Sequence, residues 1–171
     1  MNKKIDVVNE QGEIVTRSSI EEVHKKGLLH KSVHIFIIDS QGRLFCRQIS
    51  LKKRVYSGWW STSVGAHVLS GQTCDQVAQE SLLHNLGINC KLRSIGKIRV
   101  HDQYENEISE TYIGFSDKPM SLNKKEIEDG KFLTVNNIKE LIKQENVTPH
   151  LVKSLEIYLR NKQQHQSNGF L

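Results

Sequence analysis

The sequence predicts an α+β fold, a mixed β-sheet flanked by helices in an α/β/α sandwich, and three observations lead to it. The stretch "SVHIFIIDSQGRLFCRQI" places two β-prone runs around the turn Asp39-Ser40-Gln41-Gly42, the signature of a hairpin. Helical patterns recur at Cys74–Leu86, Val135–Gln144 and Pro149–Lys162. Strands and helices do not alternate strictly, so layered α+β is the class that fits.

The elements follow in chain order. Ile5–Val8 and Glu13–Thr16 are short β-prone pieces around the turn Glu10-Gln11-Gly12. Ser18-Ser19 then caps a helix running through Glu21, Glu22, Val23 and Lys26, which Gly27 ends. The hairpin comes next and is expected at the centre of the sheet. A polar loop rich in Lys and Arg leads to "WWSTSVGAHVLSGQT", a glycine turn before the second helix. Thr73 and Gln76 form a T-x-x-Q capping box at that helix's start, and Gly87 suits its end. Strands are expected at Lys91–Val100, Ser109–Phe115 and Gly130–Leu133. The last helix carries Leu151, Leu155 and Leu159 at four-residue spacing. Residues 1–162 read as one domain and residues 163–171 as a polar, frayed tail.

Bulk properties narrow the function classes. A chain of 171 residues with 37% apolar content supports a single core. Its net charge of +5 favours anionic partners, but the basic residues fall in scattered pairs. With 6% aromatic residues and no basic stripe, there is no strong nucleic-acid signal. Three cysteines without C-x-x-C spacing argue against a disulfide framework and a cysteine zinc knuckle, so the chain reads as cytoplasmic. The longest apolar run, Val33–Ile38, is interrupted by His34, so neither membrane span nor signal peptide is expected. The N-terminal strand and an exposed tryptophan are natural interface material for a homodimer.

The hairpin, Lys53, Gly58–Trp60, "SVGAHVLSGQT", the capped helix, "LGI" and the closing "VTPHLVKSL" together resemble the Nudix fold. The subgroup they resemble is that of isopentenyl diphosphate isomerases and related hydrolases, from about Ile5 to Leu159. The resemblance implies a small ligand bearing a diphosphate and a divalent metal. In the Nudix signature, Gly and Glu of the turn, an Arg-Glu pair and a Glu-Glu pair precede a final Gly. Here those positions carry Ala66, Gln72, Glu80-Ser81 and His84-Asn85, while Leu82, Gly87 and Ile88 remain. The retained residues are those that pack or turn the chain.

Magnesium wants oxygen ligands, and carboxylates both hold it and offset substrate charge. Glu80, Ser81 and His84 share the polar face of the helix within roughly 100 degrees, with Asn85 at its edge. That face is a poor magnesium cage. Glu80 is its one carboxylate and hence a catalytic candidate, and His84 a candidate ligand.

The isomerase side of the resemblance implies a second ligand set. It matches His30, His67 and Glu110 to metal ligands, with His24 close to a further one but off by one residue. An imidazole and carboxylate set suits zinc or manganese better than magnesium. The position of the isomerase cysteine carries Gly65, and that of the first acidic partner falls on Ile108. Glu107 and Glu110 are the acids of the later strand that stand as catalytic candidates. Lys53 and Arg54 are placed to meet a diphosphate, and the Trp60 ring to line a ligand cleft. Two functions therefore remain open: a divergent Nudix hydrolase with a rearranged metal site, or a non-catalytic ligand- or protein-binding module on the same frame.

Overall fold

Strand β3, His30–Ile38, is the one around which the other strands are laid, and the computed structural model describes residues 3–167. Its inner half is fully apolar except at His34, and all but one of its nine residues are buried, which suits a strand covered on both faces. Strand β1 (Lys4–Val8) meets it at Val7 and His30, and β2 (Ile14–Ser19) pairs antiparallel with β1. Helix α1 (Ile20–Lys26) follows, with the Ser19 hydroxyl capping Glu22 N.

The hairpin expected between β3 and β4 (Leu44–Ile49) holds only at its closed end, Ile38 opposite Leu44. Beyond it the two strands part, and residues 60–67 fill the gap. Strand β5 (Trp60–Ser61) pairs with β4, and β6 (Val64–His67) pairs with β3. Buried hydroxyls stitch this crossing: Ser63 Oγ accepts from Ile37 N at 2.8 Å and donates to Phe45 O at 2.5 Å. The open end of this V is where the cleft lies.

Helix α2 spans Cys74–Leu86 with its capping box formed at Thr73 and Gln76, and it ends at Gly87 in the left-handed conformation that glycine tolerates (φ 67°). Strands β7 (Leu92–His101) and β8 (Asn106–Phe115) form a long antiparallel pair, and β8 runs parallel to β3 from His30–Glu107 to Ile38–Phe115. Strand β9 (Ile127–Leu133) lies against β4, and helices α3 (Val135–Gln144) and α4 (Pro149–Ser167) close the chain. The last helix continues past Lys162, so the polar segment expected to fray begins as helix; residues 168–171 lie outside the described residues.

Two cores flank the sheet. Val33, Ile35 and Ile37 pack with Val77, Ala78, Leu82 and Leu86 of α2 on one face. Phe36, Ile38 and Trp60 pack with Ile138, Leu151, Leu155 and Tyr158 of α3 and α4 on the other. Each of the large side chains removed from water contributes about 1.5–3 kcal/mol. The α/β/α layering expected is thus the architecture found. Among the described residues no helix is long and apolar enough to cross a membrane.

Candidate metal and ligand site

The cleft opens between the parting strands, the loop after β4 and the polar face of α2, with a volume of about 630 Å³. Four elements deliver its central cluster. His24 comes from the last turn of α1 and His30 from the first residue of β3. His67 ends β6, in register with Ser32 and therefore on the same face of the sheet as His30. Glu107 is His30's partner across the parallel β3–β8 ladder.

The fifth member, Glu105, lies in the turn between β7 and β8. Asp102 Oδ1 accepts the backbone N–H groups of Tyr104 and Glu105 at 2.8 and 2.9 Å, and this Asx turn aims the Glu105 carboxylate inward. One potential ligand atom from each of His24, His30, His67 and Glu105 lies within 4.8 Å of the others. His24 Nε2 is 3.4 Å from His67 Nε2 and 3.3 Å from Glu105 Oε2. His67 Nε2 is 3.1 Å from Glu107 Oε1 and 3.8 Å from Glu105 Oε1.

His30 is oriented from behind. Its Nδ1 lies 2.9 Å from the Leu28 carbonyl, and this contact turns Nε2 to the cluster. Yet His30 Nε2 and Glu105 Oε2 are buried without a hydrogen-bond partner. His30 Nε2 lies 3.3 Å from Glu107 Oε1, off the axis a hydrogen bond needs. Buried polar atoms left open are expensive, and two of them facing one point describe a place for a cation.

A second histidine pair lies deeper. His34 and His150 stack with ring centroids 4.2 Å apart, and His150 Nε2 bonds Glu107 Oε2 at 2.6 Å. The same oxygen accepts from Ser32 Oγ at 2.9 Å. Burial alone would raise the Glu107 carboxyl, but the His150, His30 and His67 imidazoles around it outweigh burial and hold it well below the ordinary carboxylate range. Burial opposes charge on His67 too, yet the Glu105 and Glu107 carboxylates push it up to about 10. Burial and neighbouring His150 drive His34 well below its ordinary value, so it is a neutral imidazole.

The structure redistributes the residues singled out in the sequence. His30, His67 and Glu107 come together; His24, one residue off in spacing, joins them because α1 ends against the sheet. Glu110 does not. It lies three residues on from Glu107, an odd step that turns it to the opposite face of β8, where it meets Ser94 Oγ and Lys97 instead. Glu80 is exposed on α2 and contacts Gln72 at 3.3 Å, outside the cleft. Trp60 is 6% exposed within the α3/α4 core, its face under the Lys131 ammonium, so it packs and does not line the cleft.

Ser81, His84 and Asn85 do line the cleft, but on the α2 wall. His84 Nε2 lies there 3.0 Å from Asn123 Nδ2 and stands apart from the His/Glu cluster. Lys53 and Arg54 line the mouth, with Lys53 Nζ 2.6 Å from Glu126. Ala66 is at the edge of the cleft and of the α2 core, while Gln72 Oε1 accepts from Leu69 N at 3.2 Å within the turn before α2. Glu105, His150 and Arg47 were missed. The first stands in "DQYENE" one residue before β8, in a turn that strand periodicity does not reach.

Among known proteins, the chain is 30% identical over 125 residues to an isopentenyl-diphosphate Delta-isomerase of Serratia proteamaculans, covering 70% of each. It is 26% identical over 139 residues to an uncharacterised Nudix hydrolase of Pseudomonas aeruginosa, covering 81% of this chain and 82% of the other. A crystal structure from Deinococcus radiodurans shares the fold with a TM-score of 0.77 at 20% identity, over 90% of this chain and 98% of that one. No protein-family model matches the chain.

Proposed function

Because the chain belongs to the Nudix superfamily, in the branch of the isopentenyl-diphosphate isomerases, we propose that it acts on a small diphosphate-bearing molecule at a metal centre of His24, His30, His67, Glu105 and Glu107. The observation that carries this is the pair of open, buried atoms, His30 Nε2 and Glu105 Oε2, aimed into that cluster. Three imidazoles with two carboxylates suit manganese or zinc better than magnesium. When bound, the ion supplies positive charge to hold diphosphate oxygens and offset their repulsion.

The residues divide the rest of the work. Lys53 and Arg54 at the mouth meet the anionic end of the ligand. The α2 wall, with Ser81, His84 and Asn85, offers no carboxylate and so does not repel phosphate. His150, held by Glu107 and facing the cleft, is placed to exchange a proton with a bound molecule.

A second reading, a binding module without turnover, draws on Gly65, which leaves no thiol where the resemblance puts the isomerase cysteine, and on the same neutral α2 wall. The experiment is to load the purified chain with manganese, zinc or magnesium and present nucleoside and isoprenoid diphosphates. Phosphate release, product structure and calorimetric binding are followed together. Metal-dependent turnover lost in His67→Ala but kept in Ser81→Ala supports the first reading. Binding without turnover for every metal supports the second, and absence of both metal and diphosphate binding defeats the two.

A further inference from the structure

Arg47 lies on β4 at the cleft's inner wall, 7% exposed, and its Nε is buried without a hydrogen-bond partner. The carboxylate whose field reaches it, Glu126, is already paired with Lys53 at 2.6 Å. A buried guanidinium without a matching anion is costly and signals a ligand that completes it. The space for it exists because residue 65 is glycine: a Cβ there would stand 3.0 Å from Arg47 Nη2 and 2.7 Å from His34 Cε1. Around it the wall is polar, with the Ser61 and Thr148 hydroxyls bonded at 2.9 Å and His34 Nδ1 on Thr62 Oγ1 at 2.8 Å.

We propose that Arg47 is an oxyanion receptor, and that the ligand carries a second anionic group, phosphate or carboxylate, at the end remote from its diphosphate. The inference rests on the metal–diphosphate reading for the orientation of the ligand. Arg47 and the His/Glu cluster line the same cleft, so one short polar ligand reaches both. Arg47 fixes the inner group through its planar fork, a geometry that lysine does not reproduce.

Three measurements test it on the full chain. With manganese bound, 5-phosphoribosyl 1-diphosphate, which carries a second phosphate, is compared by calorimetry with dimethylallyl diphosphate, which carries none. The first is expected to bind at least tenfold tighter, and Arg47→Met to remove at least tenfold of its affinity, with Arg47→Lys recovering only part. The wild-type comparison needs no variant and stands even if Arg47→Met folds poorly. Equal or tighter binding of dimethylallyl diphosphate, or an unchanged Arg47→Met, overturns the proposal. Without metal, inorganic phosphate or acetate is expected to raise the melting temperature of the wild type and not of Arg47→Met. The more effective of the two identifies the inner group as phosphate or carboxylate. If neither diphosphate binds, the metal–diphosphate reading has failed and this metal-free shift alone decides on Arg47. An equal shift in both chains defeats the receptor.

Discussion

Glu107 Oε2 stands 2.6 Å from His150 Nε2, while Oε1 of the same carboxylate lies 3.1 Å from His67 and 3.3 Å from His30. One buried anion thus joins the inner histidine pair to the outer cluster. Replacing it with the neutral isostere, Glu107→Gln, is expected to lose bound manganese or zinc and to lower stability by on the order of 3 kcal/mol in the metal-free chain. Metal analysis after dialysis and denaturant unfolding measure the two effects. Full metal occupancy in this variant would remove Glu107 from the ligand set.

Helix α2 is expected to be a spectator for the metal. Ser81→Ala, His84→Ala and Glu80→Ala should leave metal stoichiometry unchanged and shift stability by no more than about 0.5 kcal/mol, as surface or cleft-wall changes do. Calorimetric titration with manganese checks this. Loss of metal in any of the three would move the centre onto the helix.

The proton on His67 sets a pH dependence. In the metal-free chain this imidazole is pushed up to about 10, against an ordinary value of about 6.5. A raised value means the folded chain binds the proton more tightly than the unfolded one. Its stabilisation is therefore complete below about 6.5 and fades as pH rises through about 10. Metal must displace that proton, so metal affinity should climb with pH across the same window, by up to about tenfold per unit. About a quarter of the side chain (27%) reaches solvent, which trims the size of the effect and not its sign. Competition titrations between pH 6.5 and 9, in wild type and His67→Ala, give the slope. Affinity independent of pH in the wild type is the contrary result.

Gly65→Cys places a thiol where the resemblance puts the isomerase cysteine but drives its Cβ into His34 and Arg47. Overpacking of this kind costs about 1–3 kcal/mol. The expected outcome is a lower melting temperature and no isomerisation of isopentenyl diphosphate, followed by product analysis.

Arg47→Met, by contrast, replaces a desolvated charge with an apolar chain of similar reach. It is expected to raise the unliganded melting temperature by about 2–4 °C, equivalent to about 1 kcal/mol for a chain of this length. Calorimetry shows whether the buried cation is held at a cost to stability.

Much of the frame was legible because it rests on local rules. The capping box at Thr73 and Gln76 and the glycine after Leu86 place α2 to the residue, and four-residue leucine spacing places α4. The crossing segment was not. Val64–His67 reads as a glycine turn because its β character comes from pairing with β3, a non-local partner. The site suffered from the same blindness. Laid on without a shift in "DQYENE", the resemblance matches Glu110, while the structure brings Glu107 to the cluster and alternation puts the two on opposite faces of β8. Glu105 is aimed by an Asx turn at Asp102, and Arg47 by a glycine across the cleft, neither of which appears in residue type alone.

Positions 34, 47 and 65 are bound to one another in what they tolerate. While histidine and arginine occupy the first two, any side chain at the third crowds both, so a thiol there is better tolerated once its neighbours are smaller. Related chains are expected to change the three together, since a larger side chain at position 65 crowds the imidazole and the guanidinium as they stand.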